Sequence, residues 1–450
     1  MTYTRGELFD PVFGADALAE DLSDLAWVRA LLEVEAALTR AAVGVGLVTA
    51  EHAATVTAVA ARLAEPGAID IADLGHRSAS GGNPVIPLVR ILRAACVEDG
   101  VPAVAVHVGA TSQDVMDSAL MLMSRRAGRK TLTDLRTAAD AAADLAARHR
   151  GTPMVARTLG QQALPTTFGA LAVSWFTGLD DAAHALDRAL SALPVQFGGA
   201  AGTLAATAPR GLDLADALAD ELGLARQVVP WHTTRIPVAA LATALGVAAG
   251  AVSKPATDIT LMASTEFGEV AEDAPGGSSA MPHKQNPVAA ITARAAARRV
   301  PGLVATALSS MDHEFARAAG AWHAEWETVT DLLRLTGGAA HRLASSVGGL
   351  RVDADAMARN LAITGGLILA ERVTGALSEH TDSARDIVTA AAASGVPLDR
   401  APDITAHLSA DRLRDLLDPS HYLGHAVDLV DRALANRAAR PARTTGGEHP

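Results

Sequence analysis

Residues 276–287 read Gly-Gly-Ser-Ser-Ala-Met-Pro-His-Lys-Gln-Asn-Pro. Hydroxyls, an imidazole, an ammonium and a carboxamide are crowded there beside Gly276 and Gly277, which allow positive φ and so a hinge. Three other stretches are as polar. His107 to Asp114 holds an imidazole, the Thr111 and Ser112 hydroxyls and a carboxylate just before a helical segment, where Thr111, Ser112 or Asp114 can serve as an N-cap. Ala156 to Gly169 carries Arg157, Thr158 and Gln161 and reads as a polar loop leading into a helix. Gln196 to Thr203 is glycine-rich, as a backbone must be where another group approaches closely. Taken singly, each stretch also reads as a solvated connector or a plain cap.

Several chemistries are excluded. Lys284 follows His283 and precedes Gln285, so the Gly-Lys-Ser/Thr of a phosphate-binding P-loop is missing. No His-Glu-x-x-His spacing supports a metal among the 15 histidines, and no Gly-x-Ser-x-Gly elbow marks a hydrolase. Cys96 is the only cysteine, which rules out an intrachain disulfide and a cysteine-based metal site. A formal charge of -12 argues against nucleic acid and requires that any anionic substrate be held by a local basic cluster.

The elements that must position these groups are helices. The chain of 450 residues is 49% hydrophobic and only 3% aromatic, so its core is built from Ala, Leu and Val, which suits closely approaching helices and an all-α fold. Leu18, Leu22, Leu25, Val28, Leu32 and Ala36 recur at helical spacing over residues 15–42. Leu132, Leu135, Ala139, Ala142 and Leu145 do the same in a helix of about 30 residues that closes on Arg148-His149-Arg150 and Gly151. Further helices are predicted over 237–267, with a kink at Pro255, over 288–309 and over 321–345. The apolar run Ile236 to Val252 reads as a buried bundle helix, not a membrane span. The start lacks the basic and apolar regions of a signal peptide, so a cytoplasmic location is expected. The expected division is a helical domain over 1–110, a central bundle over 111–350 carrying the loop 272–287, and a helical domain over 351–450 with a frayed tail.

Gly277 to Pro287 resembles the signature loop of the fumarase/aspartase superfamily, which includes the argininosuccinate and adenylosuccinate lyases, and the other three stretches fall in that family's order. The resemblance implies a three-domain all-α fold whose long helices form a 20-helix core in a homotetramer. It implies active sites shared by three subunits, and a mobile lid on which Ser278 moves a proton on carbon. Two departures stand out. Lyases of the family usually carry His after the Arg-Thr pair, and a Glu five residues after the signature Asn; this chain has Leu159 and Ile291. Gly82 to Val89, Pro230 to Arg235, Trp322 to Glu327 and Asp418 to Gly424 are similar to one branch, the bacterial 3-carboxy-cis,cis-muconate cycloisomerases.

That branch closes a lactone by adding a carboxylate of a tricarboxylate diene across a double bond. A carboxylate with a pKa near ~4 needs no proton to leave in reverse, so the missing imidazole had little to do, and Leu159 can pack on the substrate instead. The resemblance casts Ser278, Lys284 and His107 as catalytic, with Lys284 binding a carboxylate as well. Thr111, Ser112, Thr158, Gln161, Asn286 and His323 are cast as substrate-binding, with Arg157, Arg235 and Arg317 as guanidinium clamps for carboxylates. It implies no cofactor and no metal. A sibling lyase such as adenylosuccinate lyase, or a non-catalytic relative like the lens crystallins, are the alternatives; Leu159 and Ile291 oppose the first, and Ser278, Lys284 and Asn286 the second.

Overall fold

The computed structural model describes residues 8–277 and 280–439, and within them the fold is all-α apart from two small two-stranded sheets. Helix α1 (Asp24–Gly44) starts where the Ser23 hydroxyl accepts the Ala26 N–H at 3.2 Å. It buries Leu31, Leu32, Val34 and Leu38. The expected helix from residue 15 is interrupted there, because Ser23 adopts the extended conformation of an N-cap. Helix α2 (Ser112–Arg148) has 37 residues, about 55 Å at 1.5 Å per residue, and starts earlier than its apolar period indicates.

Strands β1 (Pro153–Thr158) and β2 (Gln161–Thr167) pair antiparallel across the two-residue turn Leu159-Gly160. Both turn residues have positive φ, 52° and 79°, as a type I′ hairpin requires. The second polar stretch is therefore a hairpin and not the loop expected. Helix α3 (Phe168–Ser191) follows directly. Its partner packing relies on small residues: a Cβ on Gly128 of α2 would lie 2.4 Å from a methyl of Leu190.

Helix α4 (Ile236–Met262) runs through Pro255. By length and composition it is apolar enough to cross a membrane, yet half of its most apolar window is buried, with Leu241, Leu245, Ala248 and Val252 in the core. Ile236, Val247 and Leu261 remain more than half exposed. The single helix predicted over 288–309 is two, Val288–Ala297 and Val300–Ser309. Pro301 explains the break, since it has no N–H for the first helix to bond and suits the first turn of the second. Helix α5 (Ala321–Gly348) buries Trp322, Val329, Leu332 and Leu335.

By contact the chain separates into two compact units. One comprises residues up to 136, 181–253 and 292–343; the other comprises 137–180, 254–291 and the chain from 344. The long helices α2 to α5 each contribute to both. The second unit has an apolar cluster of its own around Val373, Leu377, Leu398, Ile404 and Leu413. It also pairs Val270–Glu272 with Leu350–Val352.

Candidate active site

In the first unit two of the four polar stretches, 107–114 and 196–203, meet. His107 sits at φ 62°, and its Nδ1 lies 2.6 Å from Oε1 of Glu35, a fully buried residue of α1. Burial alone would push the imidazole pKa down, but the Glu35 charge and hydrogen bond outweigh it and leave the pKa raised. Thr111 and Ser112 are half-buried at the N-terminus of α2, where the helix dipole favours anions. Arg317 donates to Thr111 Oγ1 at 2.8 Å, with its guanidinium 5.9 Å from the Trp322 ring centre. Among the described residues no carboxylate is within ion-pairing distance of Arg317, and burial pushes its pKa down despite Asp114 and Asp117 nearby. This is a half-buried cation beside a hydroxyl and a positive helix end, an arrangement that attracts an anion.

Arg235 does not fit the clamp role expected of it. Its side chain is fully buried, with Nη1 and Nη2 on Asp117 at 2.8 and 3.0 Å and Nε and Nη2 on Glu325 at 2.5–3.1 Å. The indole of Trp231 covers it at 4.7 Å, and Trp322 Nε1 donates to Asp117 at 3.0 Å. A guanidinium already bonded to two carboxylates of its own chain has no face left for a substrate. Burial pushes Glu325 up against the opposing pull of Arg235, and pushes the neighbouring His313 down, with the Arg235 charge acting the same way. His323 is exposed, with Nε2 2.9 Å from the Gly82 carbonyl and its ring 4.8 Å from that of Trp326.

In the second unit Arg157 also falls short of its expected role. Nη1 and Nη2 are both taken by Glu269, at 2.9 and 2.7 Å, and the guanidinium stacks 4.4 Å from Phe267. Asn360 donates to the same carboxylate at 2.8 Å, so Arg157 braces the hairpin. Thr158, Leu159 and Gln161 are exposed at the hairpin tip, Leu159 completely. Ser278 and Ser279 lie outside the described residues. Lys284 is exposed. Asn286 donates through Nδ2 to the Gly276 carbonyl at 3.0 Å, while the two backbones exchange N–H···O bonds of 2.9 Å. Neither Gly276 nor Gly277 has a positive φ. At Gly276 the reason for glycine is space, because a Cβ would come within 2.2 Å of Val288. Beyond the loop, Glu272 accepts from Ala289 N and Ala290 N at 3.2 and 2.9 Å, capping the next helix.

A family model described as Lyase matches residues 13–302. A nitrosuccinate lyase from Streptomyces davaonensis is 43% identical over 95% of this chain and 94% of its own. A 3-carboxy-cis,cis-muconate cycloisomerase from Pseudomonas aeruginosa is 42% identical over 96% of this chain and 97% of its own. The chain belongs to the lyase family. Among solved structures, the 3-carboxy-cis,cis-muconate lactonizing enzyme from Pseudomonas putida has a TM-score of 0.89 and 39% identity, over 96% of this chain and 99% of that one. The fold expected from the signature loop is thus the fold of this lyase.

Sequence reasoning gave no role to Glu35, Asp117, His232 or Glu325, all buried beside the expected site residues. One signal was available for Glu35: Leu31, Leu32 and Leu38, four and three residues before it and three after, put it on an apolar face of α1, unlike Glu33. Lone charges in apolar helices are paired when buried.

Proposed function

We propose that this lyase closes 3-carboxy-cis,cis-muconate into 4-carboxymuconolactone, a step in the aromatic degradation of protocatechuate. The observation that carries this reading is the likeness in sequence and fold to 3-carboxy-cis,cis-muconate cycloisomerases, and Leu159 agrees with it, an alkyl side chain at the hairpin tip where lyases of the fumarase/aspartase type usually carry an acid–base histidine. One substrate carboxylate oxygen forms a C–O bond to the double bond, whose electron pair moves toward the neighbouring carboxylate as an aci-carboxylate. A proton delivered to the adjacent carbon completes the lactone, and Ser278 delivers it. The step needs preorganised donors where the charge develops. Arg317, Thr111, Ser112 and the N-terminus of α2 supply them in one unit, with Lys284 and Asn286 on the loop. His107, whose pKa the Glu35 carboxylate raises, donates to a further carboxylate. Thr158, Gln161 and His323 are the remaining proposed substrate contacts.

In this reading the protein is a cytoplasmic homotetramer with each site built from three chains. The apolar residues Ile236, Val247 and Leu261 of α4, exposed in the single chain, support such an assembly. An active monomer by light scattering would refute it.

The 43% identity to a nitrosuccinate lyase favours a second reading, cleavage of nitrosuccinate. Nitrite, like carboxylate, is a weak base that leaves without prior protonation, so Leu159 is compatible with both. Purified enzyme is offered each substrate. Loss of the muconate ultraviolet absorbance without nitrite release from nitrosuccinate supports lactonisation; nitrite release with an unchanged muconate spectrum overturns it.

A further inference from the structure

Three polar stretches distant in sequence converge on one carboxylate. Asp114, in the first turn of α2, is 2% exposed. Its Oδ1 accepts the Gly198 N–H at 2.9 Å and lies 2.7 Å from His232 Nε2, with the Gln196 amide at 3.4 Å. Its Oδ2 accepts the N–H groups of Gly199 and Thr111, both at 2.9 Å. A helix cap needs one or two such bonds. Five donors on a single buried carboxylate do more than end a helix.

His232 is 3% exposed, and Gln113 Nε2 holds its carbonyl at 2.8 Å. The ring reaches Asp114 only because residue 198 is glycine, since a Cβ there would lie 2.8 Å from His232 Cε1. The outward consequence falls on Thr111. Its N–H is tied to Asp114, and its hydroxyl meets Arg317 at 2.8 Å.

We propose that Asp114 and His232 are a positioning pair for substrate binding, fixing Thr111 so that its hydroxyl and the Arg317 guanidinium face a substrate carboxylate together. The proposal rests on the reading of Thr111 and Arg317 as a carboxylate site. Asp114 touches no substrate. It acts through the Thr111 backbone.

The test uses the full-length enzyme and propane-1,2,3-tricarboxylate as an unreactive probe, with Kd from calorimetry and kcat and KM from turnover. Arg317→Met should weaken probe binding about ten- to a hundredfold, the loss of a hydrogen bond to a charged group. Asp114→Asn should weaken it roughly tenfold and raise KM more than it lowers kcat. The double variant should bind no worse than the poorer single one, because both changes remove one arrangement. Fully additive losses would overturn the positioning role. His232→Gln, which keeps an N–H near the same place, should bind close to wild type, whereas His232→Ala should match Asp114→Asn. This pair decides the matter if Asp114→Asn does not fold, and equal losses in both overturn the proposal. Wild-type probe affinity in Arg317→Met would instead refute the carboxylate-site reading itself.

Discussion

Replacing Glu35 with Gln keeps the shape of a fully buried side chain and removes the charge that faces His107 at 2.6 Å. A hydrogen bond to a charged group contributes about 1.5–3 kcal/mol. At about 1.4 kcal/mol per pKa unit, its loss should lower the His107 pKa by about 1–2 units. The imidazole then falls below its ordinary range, since burial and the Arg93 charge, which both lower it, remain. If cationic His107 holds a substrate carboxylate, the alkaline limb of kcat/KM moves to lower pH by that amount. Stability follows with a definite sign. The raised folded pKa of His107 stabilises the wild type fully below the unfolded value near ~6.5, and that contribution is lost as pH rises through the folded pKa. The wild-type margin over Glu35→Gln, from urea midpoints, should therefore be widest in acid and narrow with rising pH. Among the described residues Glu35 Oε2 has no hydrogen-bond partner, so the amide also carries a pH-independent penalty, and only the pH-dependent part is diagnostic. An unmoved alkaline limb, together with a margin flat in pH, refutes the reasoning.

Ser278→Ala should lower turnover by about 10²–10⁴ while substrate still binds; solvent deuterium exchange into the lactone at the wild-type rate would reassign the proton, with His107 the first alternative. Arg235→Met leaves Asp117 and Glu325 buried without their cation and should destabilise the protein by about 3–5 kcal/mol. A wild-type urea midpoint for that variant would count against the network. Leu159→Gly relieves a left-handed backbone that costs a side-chain-bearing residue about 1–2 kcal/mol, so the melting temperature should rise. Its kcat/KM should fall if the leucine packs on substrate, and an unchanged kcat/KM removes that role.

Helices announced themselves where one face is continuously apolar, as in α1, α2 and α5, and their ends followed from Ser23, Arg148 and Pro301 once seen in place. The hairpin of residues 153–167 stayed hidden because its strands lack a regular apolar–polar alternation, with the adjacent Met154 and Val155 both buried, and because its turn is Leu-Gly, not the Asn-Gly or Asp-Gly that marks a type I′ turn. The polar stretches could be found by composition alone, since so little else in the chain is polar. Their internal division could not. Nothing local separates Arg317, which has a hydroxyl partner, from Arg157 and Arg235, whose charges are consumed by Glu269, Asp117 and Glu325. Those partners lie between 90 and 118 residues away in sequence, and pairing at such distance is decided by packing.

The backbone pair between Gly276 and Asn286 has a consequence for how such an enzyme could change its substrate. The pair ties residue 276 to residue 286, and Glu272 holds the start of the helix that follows, so the two ends of this stretch of chain are fixed to each other as the base of a ring. Lengthening a flexible ring costs little; even doubling it adds only about 0.6 kcal/mol. The span can therefore gain or lose residues to suit a larger or smaller substrate while its anchors and the core beneath stay untouched. Gly276 is the position that must not vary, because a side chain there would strike Val288 and open the ring at its base.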